Sequence, residues 1–218
     1  MFDATASHPD STVAAPSLGE TAVADTDPTV AAPVSVPAPT NSAGGMAVLV
    51  TVLVGALVAV ALGAFGALHE PRFFAVNVAG FSSGTAAKAW LATLVVTLAL
   101  FQLGSAFAMY RLIPSGRVPS WMTTAHVWSG RMAVLLSIPV TVHCLYALGF
   151  QHSNTRVLFH SLFGCLFYGV FVTKMLLLTR KGLPGWLIPI AGGLLFFVLV
   201  YVWLTSALWF FLTSGLTF

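Results

Sequence analysis

Apolar residues fall into five blocks along the chain, and the polar residues collect in the gaps between them. The blocks cover about 46–68, 89–110, 121–150, 157–178 and 186–212. Each is long enough as a helix, at about 1.5 Å rise per residue, to cross a hydrocarbon layer of about 30 Å. The pattern predicts an all-α fold, an integral membrane helical bundle of about five transmembrane helices. The first block carries no charge, and its Gly55, Gly63 and Gly66 are expected to let a neighbouring helix approach closely. Gln102 is the one strongly polar side chain of the second block and is expected to hydrogen-bond to a neighbouring helix. The third block opens with Trp121 and Trp128, which read as an interfacial aromatic belt. In the same block Arg131 is expected to snorkel to the hydrocarbon edge, and Pro139 to kink the helix. The fifth block contains neither charge nor histidine.

Residues 1–45 break the pattern. They are rich in Ala, Pro, Thr, Ser and Val, with no aromatic residue after Phe2. Such a segment buries too little apolar surface to offset its ordering entropy and is expected to be a disordered tail. It lacks the basic start of a signal peptide, so it is expected to be a solvated leader or a tether. Two domains follow: the tail at 1–45 and a transmembrane helical domain at 46–218.

Composition sharpens this picture. The 218 residues are 58% hydrophobic and 7% charged, against roughly a quarter charged in soluble domains. Five of the six acidic residues precede residue 46, and all nine basic residues follow it. The net charge of +3 therefore belongs to membrane loops and is no nucleic-acid footprint. With five helices, one side receives Arg111, Arg117, Arg131, Lys174, Arg180 and Lys181, and the other Arg72, Lys88 and Arg156. The positive-inside rule makes the first side cytoplasmic in a cell membrane, with the N-terminus cytoplasmic and the C-terminus external. Lys88 is placed at the end of an external loop at 69–88. In that loop His69 and Glu70 are open to two readings, a metal or proton-handling site or an interfacial cap with a Glu70–Arg72 pair.

The candidate chemistry lies in 121–178, read as a transmembrane helical hairpin. It carries His126, His143 and His160 and both cysteines, Cys144 and Cys165. Ionisable or metal-binding groups at membrane depth are expensive and tend to mark function. His143 and His160 are expected at the same level, roughly 6–10 Å below the external surface. His126 is expected roughly 25 Å away along the axis and on another helix face. Two facing histidines in a helical bundle suit the axial positions of a buried haem iron. The residue one turn after each histidine is small: Gly130, Ala147 and Gly164 leave room for a flat plate. Arg156 is expected near a haem propionate. The competing reading makes each histidine an interhelical hydrogen-bonding residue. The cysteines are either small packing residues or, with His143 and His160, soft ligands for copper or zinc. Cys144 directly follows His143 and is expected to point elsewhere on the helix.

The segments FHSLFG (159–164) and HVWSGR (126–131) resemble the histidine-bearing segments of cytochrome b561-type membrane proteins. The hydrophobic portion as a whole also resembles an uncharacterised family of bacterial integral-membrane proteins, which implies no activity. The cytochrome resemblance implies haem b and electron transfer at the membrane, with His143, His160, His126, Gly164, Gly130 and Arg156 about the cofactor. It also implies a quinone or an external redox protein as partner, besides membrane lipid. The chain departs from that family, which pairs four histidines between non-adjacent helices. His126 has no histidine partner here, so Met109, Met175 or a second protomer of a homo-oligomer are the alternatives. Two other function classes stay open: a haem-free accessory or assembly subunit, and a copper- or zinc-handling membrane protein.

Overall fold

The structure, a computed structural model, describes residues 42–72, 80–112 and 118–217. Residues 1–41 of the tail expected to be disordered, and Arg117, lie outside these residues, while residues 42–45, assigned to the tail by the sequence pattern, open the first helix. Five helices are long and apolar enough to cross a membrane, and among the described residues there is no strand. They are α1 (Ser42–Leu68), α2 (Gly84–Met109), α3 (Trp121–Leu148), α4 (Thr155–Leu178) and α5 (Leu187–Ser214). The chain is a multi-pass membrane protein, and large apolar side chains such as Leu57 and Val60 cover its perimeter. In a bilayer such residues face lipid, while the backbone polar groups are satisfied within each helix.

Local chemistry sets the helix ends. Ser83 caps α2 by accepting the Ala86 N–H at 3.1 Å, and Asn154 caps α4 by accepting the Val157 N–H at 3.0 Å. These caps satisfy amide groups that have no partner within the helix. The Ser83 cap starts α2 five residues before the apolar block does, so Lys88 lies on the helix and not in a loop. The turn between α3 and α4 uses Gly149 at φ +74°, which glycine adopts without strain. Pro139 lies inside α3 and has no N–H for the ladder. Four residues on, the ladder widens into a π segment, His143–Leu148. A second π segment, Leu204–Leu208, interrupts α5.

The helices form a ring in the order α1, α4, α5, α2, α3, which closes where the π segment of α3 meets α1. The α1–α4 crossing is the tightest. A Cβ on Gly169 would stand 2.6 Å from the Gly55 carbonyl oxygen and 2.9 Å from the Ala59 Cβ. Gly66 serves the same end near the turn, where its carbonyl accepts the Phe150 N–H at 2.7 Å. The expectation of close approach thus holds at Gly55 and Gly66. Gly63 has only an ordinary contact with the Cys165 sulfur, 3.9 Å from where a Cβ would stand. Trp203 Nε1 donates to Thr93 Oγ1 at 2.9 Å and ties α5 to α2.

One expectation needs correction. Although a short turn joins α3 to α4, they are not a closely packed hairpin. In the ring α1 stands between them. They meet across the bundle at Tyr168, whose hydroxyl bonds Ser137 Oγ at 2.9 Å and Thr141 Oγ1 at 2.8 Å. The glycine crossing draws α4 onto α1, and a space opens between α3 and α4 toward the end of the bundle that carries the 149–154 turn.

Candidate functional site

That space is a chamber of about 320 Å³, walled by α2, α3, α4 and α5. Both π segments contribute to its wall, and π segments recur at functional sites because their extra residue re-aims side chains and frees carbonyls. The groups with chemistry on its lining are Lys88, Cys144, Arg156, His160, Cys165 and Thr205. No carboxylate lines it.

His160 is the histidine of the chamber. Its Nδ1 lies 3.1 Å from Thr205 Oγ1. The Thr205 hydroxyl also lies 2.9 Å from the Tyr201 carbonyl and 3.1 Å from that of Val202. A threonine hydroxyl has one proton. With that proton directed to the carbonyls, the hydroxyl accepts from His160, so Nδ1 carries the N–H. The neutral ring then keeps its lone pair on Nε2. A histidine held by its other ring nitrogen is the form in which imidazole ligates metals. One turn on, Gly164 also lines the chamber, and a Cβ built there would meet nothing within 4 Å.

Arg156 borders the chamber and is held on the α5 wall. Its guanidinium donates to the Thr205 carbonyl, and its Cζ lies 4.0 Å from the centre of the Trp209 ring. Both contacts belong to the π segment and the turn after it. The widened ladder frees a carbonyl there, and the aromatic face attracts the cation.

The remaining sequence-predicted residues divide. His143 begins the π segment of α3, is 5% exposed, and is not part of the chamber lining. Its neighbour Cys144 takes the lining position instead, the reverse of what spacing suggested. Adjacent helical residues point about 100° apart, so only one of the two can face the space. His160 and His143 therefore do not meet across the chamber. Ala147 is fully buried.

His126 belongs to the α2–α3 contact near the other end of the bundle. Its Nδ1 lies 2.7 Å from Ser105 Oγ, and that hydroxyl donates to the Gln102 carbonyl at 3.1 Å. The Gln102 amide in turn donates to the His126 carbonyl and, at 2.7 Å, to Ser129 Oγ. The expected interhelical bond of Gln102 is present. The room beside Gly130 is filled by the Gln102 amide, whose nitrogen would be 3.2 Å from a Cβ there. Met109 receives the Thr123 hydroxyl at 3.7 Å, and Met175 is exposed.

Among the described residues no three histidine, cysteine or acidic side chains come together to hold a metal ion. Cys144, on α3, and His160 and Cys165, on α4, share the chamber lining without forming such a group. At the end of α1, His69 stacks between Phe65 and Tyr146, with ring centroids 5.0 and 4.4 Å away. Glu70 and Arg72 form no ion pair among the described residues. Arg131 is exposed and lies over the Trp128 ring at 5.1 Å, as a residue at the hydrocarbon edge does. His152 is exposed, and His8 lies outside the described residues.

Two residues of the site have places that the sequence reading does not give them. Lys88 is expected in a loop, and the signal against that is the N-cap Ser83 five residues before it. Thr205 is not singled out, and its signal is a Thr-Ser pair inside a charge-free helix.

Residues 46–218 match the model of a family of unknown function, DUF6529. No curated protein and no solved structure matches the chain.

Proposed function

The chain belongs to DUF6529, a family of unknown function, and we propose that its membrane domain binds one b-type haem in the chamber and passes single electrons at the membrane. The observation that carries this reading is the state of His160. Its ring is held by the Thr205 hydroxyl at Nδ1 and by a hydrogen bond to the Val202 carbonyl, and in the Nδ1–H tautomer Nε2 is the nitrogen that would meet a Lewis acid.

Three features of the wall fit such a group. Gly164, one turn from His160, adds no bulk to the wall, and even a Cβ there would meet nothing within 4 Å. Lys88 and Arg156 supply positive charge for propionates, with no carboxylate opposing them. The lining is otherwise largely apolar, as cofactor sites are. When bound, a haem iron would supply one-electron chemistry. His160 would hold the iron, and the positive charge of Lys88 and Arg156 would favour the acid edge on their side of the chamber. This departs from the bis-histidine arrangement of the cytochromes that the sequence resembles. His143 would join only if the π segment His143–Leu148 rewound and turned it inward.

In the orientation that the positive-inside rule favours, the chamber would lie in the external half of the membrane. Electrons would then be exchanged with quinol in the bilayer or with an external redox protein. A haem-free accessory subunit is the second reading. It is favoured by His126, whose Nδ1 bonds the Ser105 hydroxyl across the α2–α3 contact.

Haem content of the detergent-purified protein separates the two readings. The haem reading expects near one haem per chain in the wild type, loss in His160→Ala and retention in His126→Ala. Unchanged haem in His160→Ala, or none in the wild type after expression with ample haem, would favour the accessory subunit.

A further inference from the structure

Lys88 stands four residues past the start of α2, on the chamber wall and half-buried. No described residue gives it a hydrogen bond or an ion pair. Glu70 is the only acidic residue outside the N-terminal tail, and it is exposed and does not line the chamber. Arg156, the other cation, is already held by the Thr205 carbonyl and the Trp209 ring. An ammonium group drawn out of water is costly unless it is paired. Neither cation of the lining has a carboxylate beside it, and Lys88 is the one that no described hydrogen bond or aromatic ring holds.

We propose that Lys88 is the residue that selects the ligand's acid group: the ligand carries a carboxylate, and Lys88 Nζ pairs with it. This rests on the chamber being the cofactor site but not on ligation of an iron by His160. The class of ligand is a planar amphiphile with a carboxylate edge. The apolar lining takes the plate and Lys88 takes the edge. A neutral ester of the same plate fills the same space and leaves Lys88 unpaired, so it is discriminated against.

The test uses metal-free protoporphyrin IX and its dimethyl ester, which differ only at the acid groups. Both are titrated by porphyrin fluorescence into full-length protein in phosphatidylcholine nanodiscs. The wild type is expected to bind the free acid about tenfold more tightly than the ester, as for a charge-assisted hydrogen bond. Lys88→Gln should lose the preference, and Lys88→Arg should keep it. Equal binding of acid and ester by the wild type, a preference that survives in Lys88→Gln, or binding of neither porphyrin overturns the assignment. A preference that disappears in phosphatidylglycerol nanodiscs also overturns it and gives Lys88 to a lipid phosphate. An acid preference without any His160-dependent haem spectrum leaves Lys88 assigned and removes the iron-ligation reading.

Discussion

Replacing Gly169 by Ala tests the contact that opens the chamber. The added Cβ would stand 2.6 Å from the Gly55 carbonyl oxygen and 2.9 Å from the Ala59 Cβ. The first of these is backbone, so no side chain can swing aside. The helices must part by about half an ångström to one ångström to restore van der Waals distance. Overpacking of this kind costs about 1–3 kcal/mol. Alanine returns up to about 1 kcal/mol through its better helix propensity. The net expectation is a loss of about 1–2 kcal/mol. Gly104 is the matched control, since it is helical too and a Cβ there meets nothing within 4 Å. Gly104→Ala should be neutral or stabilising by up to about 1 kcal/mol. Unfolding by sodium dodecyl sulfate in mixed micelles, followed by helicity and tryptophan fluorescence, compares the two. Equal stability of Gly169→Ala and wild type, or greater damage from Gly104→Ala, would refute the glycine crossing of α1 and α4.

Two further substitutions separate folding from the site. Gly164→Leu places a side chain in open chamber space, so stability should hold within about 1 kcal/mol while haem or porphyrin binding falls at least tenfold. Normal binding by this variant would place the ligand elsewhere. Thr205→Val removes the acceptor that fixes the His160 ring and should weaken haem affinity by about 10–100-fold, with Thr205→Ser restoring it. Unaltered affinity in Thr205→Val would show that the Nδ1 contact does not set the ligand.

The fold was largely legible because long apolar blocks with at most one charge each admit one reading in a membrane. Five helices were expected at nearly the boundaries observed. The largest difference is at the start of α2, where the cap chemistry of Ser83 extends a helix into a stretch without apolar periodicity, and α1 also starts four residues early, at Ser42. The role of Gln102 was legible too, because a lone amide in an apolar helix has to find partners across a helix contact.

The site was legible in part. Depth along the chain assigns His160 and His143 to one level, but it says nothing of rotation about the axis. That rotation is set by Pro139 and the π segment after it, which put Cys144 on the chamber wall and His143 off it. Lateral neighbours were equally hidden. The turn joining α3 to α4 suggested contact, yet Gly55 and Gly169 bring α4 against α1 and leave α3 on the far side of the chamber. Spacing placed Arg156 near a propionate, but spacing cannot show that the Thr205 carbonyl and the Trp209 ring already hold it. Lys88, read as a loop residue, is the cation without such holds.

The most direct test of the central claim is the dithionite-reduced minus oxidised absorption spectrum of purified wild type and His160→Ala, both expressed with ample haem. The account predicts a sharp b-type α band in the wild type, near one haem per chain, and its loss in His160→Ala. No band in the wild type, or an identical band in the variant, would contradict it.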